Sequence, residues 1–422
     1  MTVSTVSNSP GTGATTQQQL SAQWTNPNDV LSVLLIVGGD IVQKALAQGS
    51  GGYFTPICFS FGWVSYSLNT LIAIVGDGHL LPEPDHPVKV YNLKSGYVRE
   101  NKNWVIGRIA RDNVMHLNKM RPLDGNAIRI SIYDALEDTK GPSVAATGRL
   151  RAFGVATMIL QLFIASIPFG RYREWGVFLV TAAGTGLALV AGALPQWRAE
   201  KLPCQTKVTK DFALTSGNGS RDIMIIRGNG VCLDLEELAA PQMPRSARIW
   251  EGHPLLSRPV TEDGIPKVRL NRSKVYKTWT PLGIPIGFWI TIAVTSTQFV
   301  FWVAILISVA GLRAHVWYLL GVGALGMLQN VIVAAASRGP DKRNLPIKHV
   351  ETLLSRKVMD GLMDLDITYA GFGEPLLGEF FPGKLRKNEK EWWAGNRDAY
   401  DDEREVQIAK RGRPRSRLPR LW

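Results

Sequence analysis

The apolar residues of this chain are bunched into long runs, and that bunching restricts its possible folds more than any other feature. A hydrocarbon layer about 30 Å thick is crossed by roughly 20 apolar residues in helical conformation. Four stretches meet that length: Phe54 to Val75, Trp175 to Leu194, Ile284 to Ala310 and Val316 to Ser337. A fifth, Arg151 to Phe169, is uncharged from Ala152 onward and precedes the polar turn Gly170 to Glu174. The run Val30 to Ala47 is interrupted by Asp40, Gln43 and Lys44. Asp40 and Lys44 are four apart, so a helix places them on one face where they neutralise each other. This segment reads as a span, with a helix lying in the membrane interface as the alternative. Trp175, Trp197, Trp279 and Trp317 stand near run ends, as expected of side chains that favour that interface.

The expected fold is an α-helical membrane protein of about six transmembrane helices in three hairpins, with a small cytoplasmic β-rich module and a helical C-terminal tail. The hairpins occupy 29–75, 151–194 and 283–337. A disordered tail covers 1–28, loops cover 76–150 and 195–282, and the C-terminal tail covers 338–422. Short outer connections then fall at Gln48 to Tyr53, Gly170 to Glu174 and Gly311 to His315.

Charge supplies the orientation. The net charge is +13 with 48 Lys and Arg. Of these, 12 lie in Gly78 to Arg151, 14 in Pro195 to Leu282 and 18 in Ser337 to Trp422. Only Lys44, Arg171, Arg173 and Arg313 lie elsewhere. Basic residues near span ends hold a loop in the cytoplasm during insertion, so the long loops and the C-terminus are expected there. The excess of positive charge therefore reports orientation rather than a nucleic-acid partner. Met1 to Asn28 carries no charged side chain, so a signal peptide with a positive n-region is not expected. Three cysteines, Cys58, Cys204 and Cys232, suggest no disulfide framework.

The loops carry strand signals. Ile128-Arg129-Ile130-Ser131-Ile132 alternates with the period of two that puts one strand face on a core. Val88 to Leu93 is a second strand candidate. Asp222 to Arg227 and Val231 to Leu235 flank Gly228-Asn229-Gly230, which suits a hairpin turn. In the tail, Ile347, Val350, Leu354, Val358 and Leu362 recur at spacings of three and four, predicting an amphipathic helix available to a cytoplasmic protein partner. Lys384 to Trp422 mixes charges with few aliphatic residues and is expected to end in disorder.

Candidate functional residues are few. Asp40 and Lys44 are charges within an apolar run and mark a possible transport element. Gln161, Gln298, Gln329 and Asn330 are neutral and suited to hydrogen bonds between helices. Gly184, Ala188 and Gly192, and Gly326, Asn330 and Ala334, form small-residue stripes that allow close helix packing, within one bundle or between copies. Asp77, His79, Glu83, Asp85 and His86 offer five metal-ligand types, although their spacing matches no established ligand motif. Gly217-Asn218-Gly219-Ser220 reads as a turn rather than a phosphate cradle, lacking the lysine and helix of a P-loop. Lys410 to Arg415 resembles an AT-hook, yet in an anchored chain a polybasic contact with anionic lipid is the better reading. No zinc, nucleophile-elbow, dinucleotide or kinase signature is present, and no cofactor is expected.

Thr55-Pro56-Ile57-Cys58-Phe59-Ser60-Phe61-Gly62-Trp63-Val64, Leu93 to Glu100 and Ser216 to Leu235 resemble uncharacterised multi-pass membrane proteins of filamentous fungi. That resemblance implies architecture and a fungal source, and no activity or site residue. The functional expectation is a membrane scaffold, sensor or regulator that presents a cytoplasmic module to partners. A transporter or channel using the Asp40/Lys44 helix is the competing reading, and a membrane enzyme the third.

Overall fold

A computed structural model of the chain describes residues 33–51, 54–137, 148–201, 206–240, 286–312, 314–343 and 345–410, with short pieces between 257 and 284. Its principal helices are α1 (Gly39–Gly49), α2 (Trp63–Gly76), α3 (Trp104–Met120), α4 (Arg149–Tyr172), α5 (Gly176–Ala193), α6 (Gln196–Lys201), α7 (Ile286–Ala310) and α8 (Val316–Ala335). After them come α9 (Val358–Thr368), α10 (Lys387–Trp393) and α11 (Asp398–Lys410). Four helices, α4, α5, α7 and α8, are long and apolar enough to cross a membrane. Their most apolar windows are only 28% to 44% buried within the molecule, so most of that apolar surface faces outward. Ile159, Phe163, Leu179, Phe301, Ile307 and Leu328 belong to this belt. Helices apolar on every side suit hydrocarbon, and in water such a belt would be an aggregating patch.

The two helix pairs turn at a common end. The Tyr172 ring, closing α4, stacks on His315, which precedes α8, at 4.1 Å between centroids. The opposite end of the bundle carries a mixed sheet of six strands. These are β1 (Lys89–Asn92), β2 (Val98–Glu100), β3 (Ile128–Ala135), β4 (Phe212–Thr215), β5 (Asp222–Arg227) and β6 (Ile347–Ser355), in the order β6-β3-β5-β4-β1-β2. Only β3 and β5 run parallel, in a register pairing Arg129 with Asp222.

Both faces of the sheet are covered, so the alternation in β3 marks two buried faces rather than one. Ile128, Ile130, Ile132, Ile223 and Ile225 pack under the C-terminal helices with Leu362, Leu365 and Phe380. On the other face Val90, Tyr133, Phe212 and Ile226 join one apolar cluster with Trp104 of α3 and Trp63, Val180 and Trp302 of the bundle. Arg129 is fully buried on that second face. Its guanidinium pairs with Asp222 at 2.6 Å and donates to the Arg121 carbonyl and Asn118 Oδ1, tying the end of α3 to the sheet.

Several expectations are corrected. The stripe Ile347, Val350, Leu354, Val358, Leu362 is not one helix: Ile347–Ser355 is an edge strand antiparallel to β3, and only Val358 and Leu362 are helical. Strand pairing along its whole length outweighs the helical spacing. The expected hairpin around Gly228-Asn229-Gly230 does not pair with itself. The turn exists, with positive φ at Asn229 and Gly230, but β5 pairs with β3 and β4 while Cys232–Leu233 pairs with Thr206–Val208. The tail carries two helices, α10 and α11, where Trp392 and Tyr400 bury apolar rings beside Met359 and Met363, while the extreme C-terminus expected to be disordered lies outside the described residues. The N-terminal tail 1–28 and residues 411–422 lie outside the described residues, as do Trp279 and most of the AT-hook-like segment.

The first expected hairpin is altered most. α1 has 11 residues and α2 has 14, each short of a crossing length. Between them Phe54 to Ser60 is neither helix nor strand, with a tight turn in which the Ile57 amide donates to the Thr55 carbonyl at 2.9 Å. Nor is Gln48 to Tyr53 an outer connection. Gln48 Nε2 donates to the Ala336 carbonyl at 2.7 Å and Lys201 Nζ to the Ser50 carbonyl at 2.5 Å, which places this connection at the sheet end.

Candidate functional site: a broken segment inside the bundle

Neighbours along α8 trace the path of the non-helical segment. Cys58 lies against Asn330, Phe59 against Gly326 and Phe61 against Gly323. The chain therefore enters from the sheet end and runs toward the far end, opposite in sense to α8. It stops partway, turns at Gly62 and returns to the sheet end as α2. Pro56 and Gly62 explain why this apolar run is not one helix: the first removes a backbone donor, and the second sits at φ +88°, where L side chains are strained.

The small-residue stripes make room for this segment. A Cβ on Gly326 would collide with the Phe59 carbonyl, one on Gly184 with the Phe59 ring, and one on Gly192 with Thr55 at 2.7 Å. Ala188 is fully buried, and Ala334 accepts at its carbonyl from Arg108 at 2.8 Å. Gly184, Gly192, Gly326 and Asn330 thus adjoin a non-helical segment rather than another helix face.

Non-helical backbone inside an apolar bundle leaves polar groups that a helix would satisfy internally. Side-chain amides supply their partners. Gln161 Nε2 donates to the Phe59 and Val322 carbonyls, each at 2.7 Å. Gln329 Oε1 accepts from the Cys58 amide while its Nε2 donates to the Pro56 carbonyl, both at 3.3 Å. Asn330 Nδ2 donates to Ser60 Oγ at 2.8 Å and to the Cys58 carbonyl at 3.3 Å. Trp63 Nε1 also donates to Cys58 and stacks on Trp302, 5.1 Å between centroids, closing the tip. Gln298 bridges α7 and α5, donating to the Leu187 carbonyl at 3.1 Å. Among the described residues, Gln161 Oε1 and Asn330 Oδ1 are buried without a partner.

Two helix N-termini meet at this depth. α1 begins at Gly38 and α2 at Gly62; both caps are left-handed and neither has a side-chain cap. A Cβ on Gly62 would lie 2.6 Å from the Gly38 carbonyl carbon, so the two starts touch. Their positive dipole ends account for an acid in an apolar run, since Asp40 occupies the first turn of α1. Asp40 is exposed and Lys44 half-buried, and among the described residues no ion pair joins them. The expected mutual neutralisation is replaced by this placement at the helix starts.

At the sheet end a buried charge network joins bundle and sheet. Asp112 on α3 accepts from Arg343 at 2.6 Å and from the Arg338 amide at 3.0 Å. Arg338 donates to the Gln48 carbonyl at 2.6 Å, and Arg108 pairs with Asp85 at 2.9 Å. Glu200 accepts from the Leu80 and Leu81 amides and from Gln196, yet burial outweighs these bonds and raises its carboxyl to about 7. Burial and the nearby Arg338 and Arg343 charges hold the Lys201 ammonium well below its usual value.

The metal-ligand candidates are not brought together. Asp85 is committed to Arg108 and His86 faces Ser216 at 3.4 Å, and among the described residues no cluster of three His, Cys, Asp or Glu forms. A cleft of about 320 Å³ opens near Lys357, Tyr400 and Arg404. Its charges are internally paired, Arg404 with Asp360 and Asp364 and Lys357 with Gln407.

Sequence reasoning missed Asp112, Arg338, Arg343, Glu200 and Lys201. The one available signal was Asn103, whose side chain caps α3 by accepting from the Val105 amide and fixes Arg108 and Asp112 on one face. No protein-family model, curated protein or solved structure matches the chain, so its function is argued from these residues alone.

Proposed function

We propose that this is a multi-pass integral membrane sensor or regulator, in which the broken segment of the bundle responds to its surroundings and the sheet domain carries the response to a cytoplasmic protein partner. The observation behind it is the single apolar cluster that runs from Trp63 and Trp302 in the bundle to Val90, Phe212 and Ile226 in the sheet. Dense packing and the buried Asp112 network make the sheet domain part of the bundle rather than a tethered passenger. Placement of the sheet in the cytoplasm is supported by the excess of Lys and Arg in the three long segments, whose described residues build the sheet and the helices that cover it.

Hydrogen exchange on the protein in nanodiscs tests the coupling. Gln161→Leu should speed amide exchange in β3 and β5 as well as in residues 54–62. Unchanged sheet exchange would reduce the sheet to a passenger. Cysteines at the exposed positions Lys342 and Asn218 should both react with an impermeant thiol reagent from one face, and reaction from opposite faces would end this topology.

A transport reading is favoured by one feature, the two helix starts meeting beside Asp40, since broken helices of this kind line solute paths in membrane transporters. Asp40→Asn in a liposome flux assay tests it. A wild-type protein that moves no solute across a broad panel would leave only the sensor.

A further inference from the structure

We propose that the oxygens around the broken segment form a binding site for a monovalent cation. Gln161 and Asn330 are both fully buried, and each keeps an amide oxygen without a partner. Their orientation is set by chemistry: the Gln161 nitrogen faces two carbonyls and the Asn330 nitrogen faces one carbonyl and a hydroxyl, so the oxygens point elsewhere. Both amides hold neighbouring residues, Phe59 on one side and Cys58 and Ser60 on the other, which brings the free oxygens to the same stretch of unwound backbone. That stretch adds the Phe59 carbonyl, which Gln161 leaves with a second lone pair, and Ser60 Oγ.

An acceptor buried without a donor costs free energy, and two at one place point to a species that satisfies both. The neighbourhood is rich in oxygen, and among the described residues no lysine or arginine bonds to it, so a desolvated cation is a better complement than an anion. Unwound backbone carbonyls and side-chain amides are hard, neutral ligands of the kind that replace the hydration shell of alkali ions. Asp40, exposed in the first turn of α1, is the carboxylate on the helix whose start packs against Gly62, and would offset the charge of a monovalent ion from there.

The site extends the sensor reading by naming what the broken segment would respond to. The full chain in nanodiscs is melted in sodium, potassium, ammonium and choline chloride at equal ionic strength, and retention of radioactive sodium is measured in parallel. At least one of the three small cations should raise the melting temperature over choline, and sodium should be retained and displaced by whichever cation stabilises most. Gln161→Leu should abolish the cation-specific increment. Asp40→Asn, at an exposed position, should weaken apparent affinity by roughly tenfold. Equal melting in all four salts, with no sodium retained by the wild type, would overturn the site and leave the two oxygens with a buried water only. Cation binding without any change in sheet exchange would uphold the site and overturn the sensor reading. Coupled exchange without cation binding would do the reverse.

Discussion

Phe54 to Val75 and Ile284 to Ala310 are similar in apolar content and unlike in structure. The second becomes α7, a continuous helix of 25 residues that satisfies its own backbone. The first becomes a non-helical stretch and a half-length helix, with its backbone satisfied by amides more than 100 positions away in the chain. Apolar length thus decides that a segment is buried, while Pro56, Gly62 and the availability of Gln161, Gln329 and Asn330 decide the form in which it is buried.

The sharpest way to break this comparison is to fill the space the non-helical stretch occupies. Gly326→Val would drive a side chain into the Phe59 carbonyl and should cost about 3 kcal/mol or more. Gly321→Ala, on the same helix with open space around it, should leave thermal unfolding in detergent unchanged. Equal melting of the two variants would remove the stretch from the bundle.

The return of the chain at the sheet end makes the next prediction. Glu200 receives the amides just beyond α2 and is held neutral by burial, its carboxyl raised from 4.5 to about 7. The stability this contributes is complete below the ordinary carboxylate value and is lost as pH rises through about 7, amounting to about 3 kcal/mol. Melting temperature should therefore fall between about pH 5 and about pH 8, and Glu200→Gln should flatten that fall.

A smaller effect is expected at the stretch's own fastening. Gln161→Leu leaves the Phe59 and Val322 carbonyls without their donor and should cost about 1 to 3 kcal/mol in thermal unfolding. The smallest is expected in the continuous helix. Thr297 donates only to the carbonyl one turn back, so Thr297→Val should shift stability by less than about 0.5 kcal/mol. A larger shift there than at Gln161 would reverse the contrast between the two segments.

The four long helices are legible because hydropathy over 18 or more residues needs no partner to be read. The β3 and β5 segments are legible too, through alternation and a flanking turn. The broken segment is not, because Pro56 and Gly62 are its local signals and membrane helices tolerate both, while the amides that replace its missing backbone bonds lie far along the chain. Edge strand β6 is misread for the same reason: its spacing fits a helix, and only β3 alongside it shows otherwise. The buried charges are least legible, since Asp112, Arg338 and Arg343 look like any solvated side chains until α3 and the segment after α8 come together.

The hydrogen bond between Asn330 and the Cys58 carbonyl spans 272 positions, and that separation governs the order of assembly. Residues 54–62 leave the ribosome with most of the chain still unmade, and their seat is finished only when α8 arrives. Until then the stretch has bare backbone and no amides to bind, so a pairing this distant forms late. A chain truncated before α8 would leave its N-terminal third without a resting place.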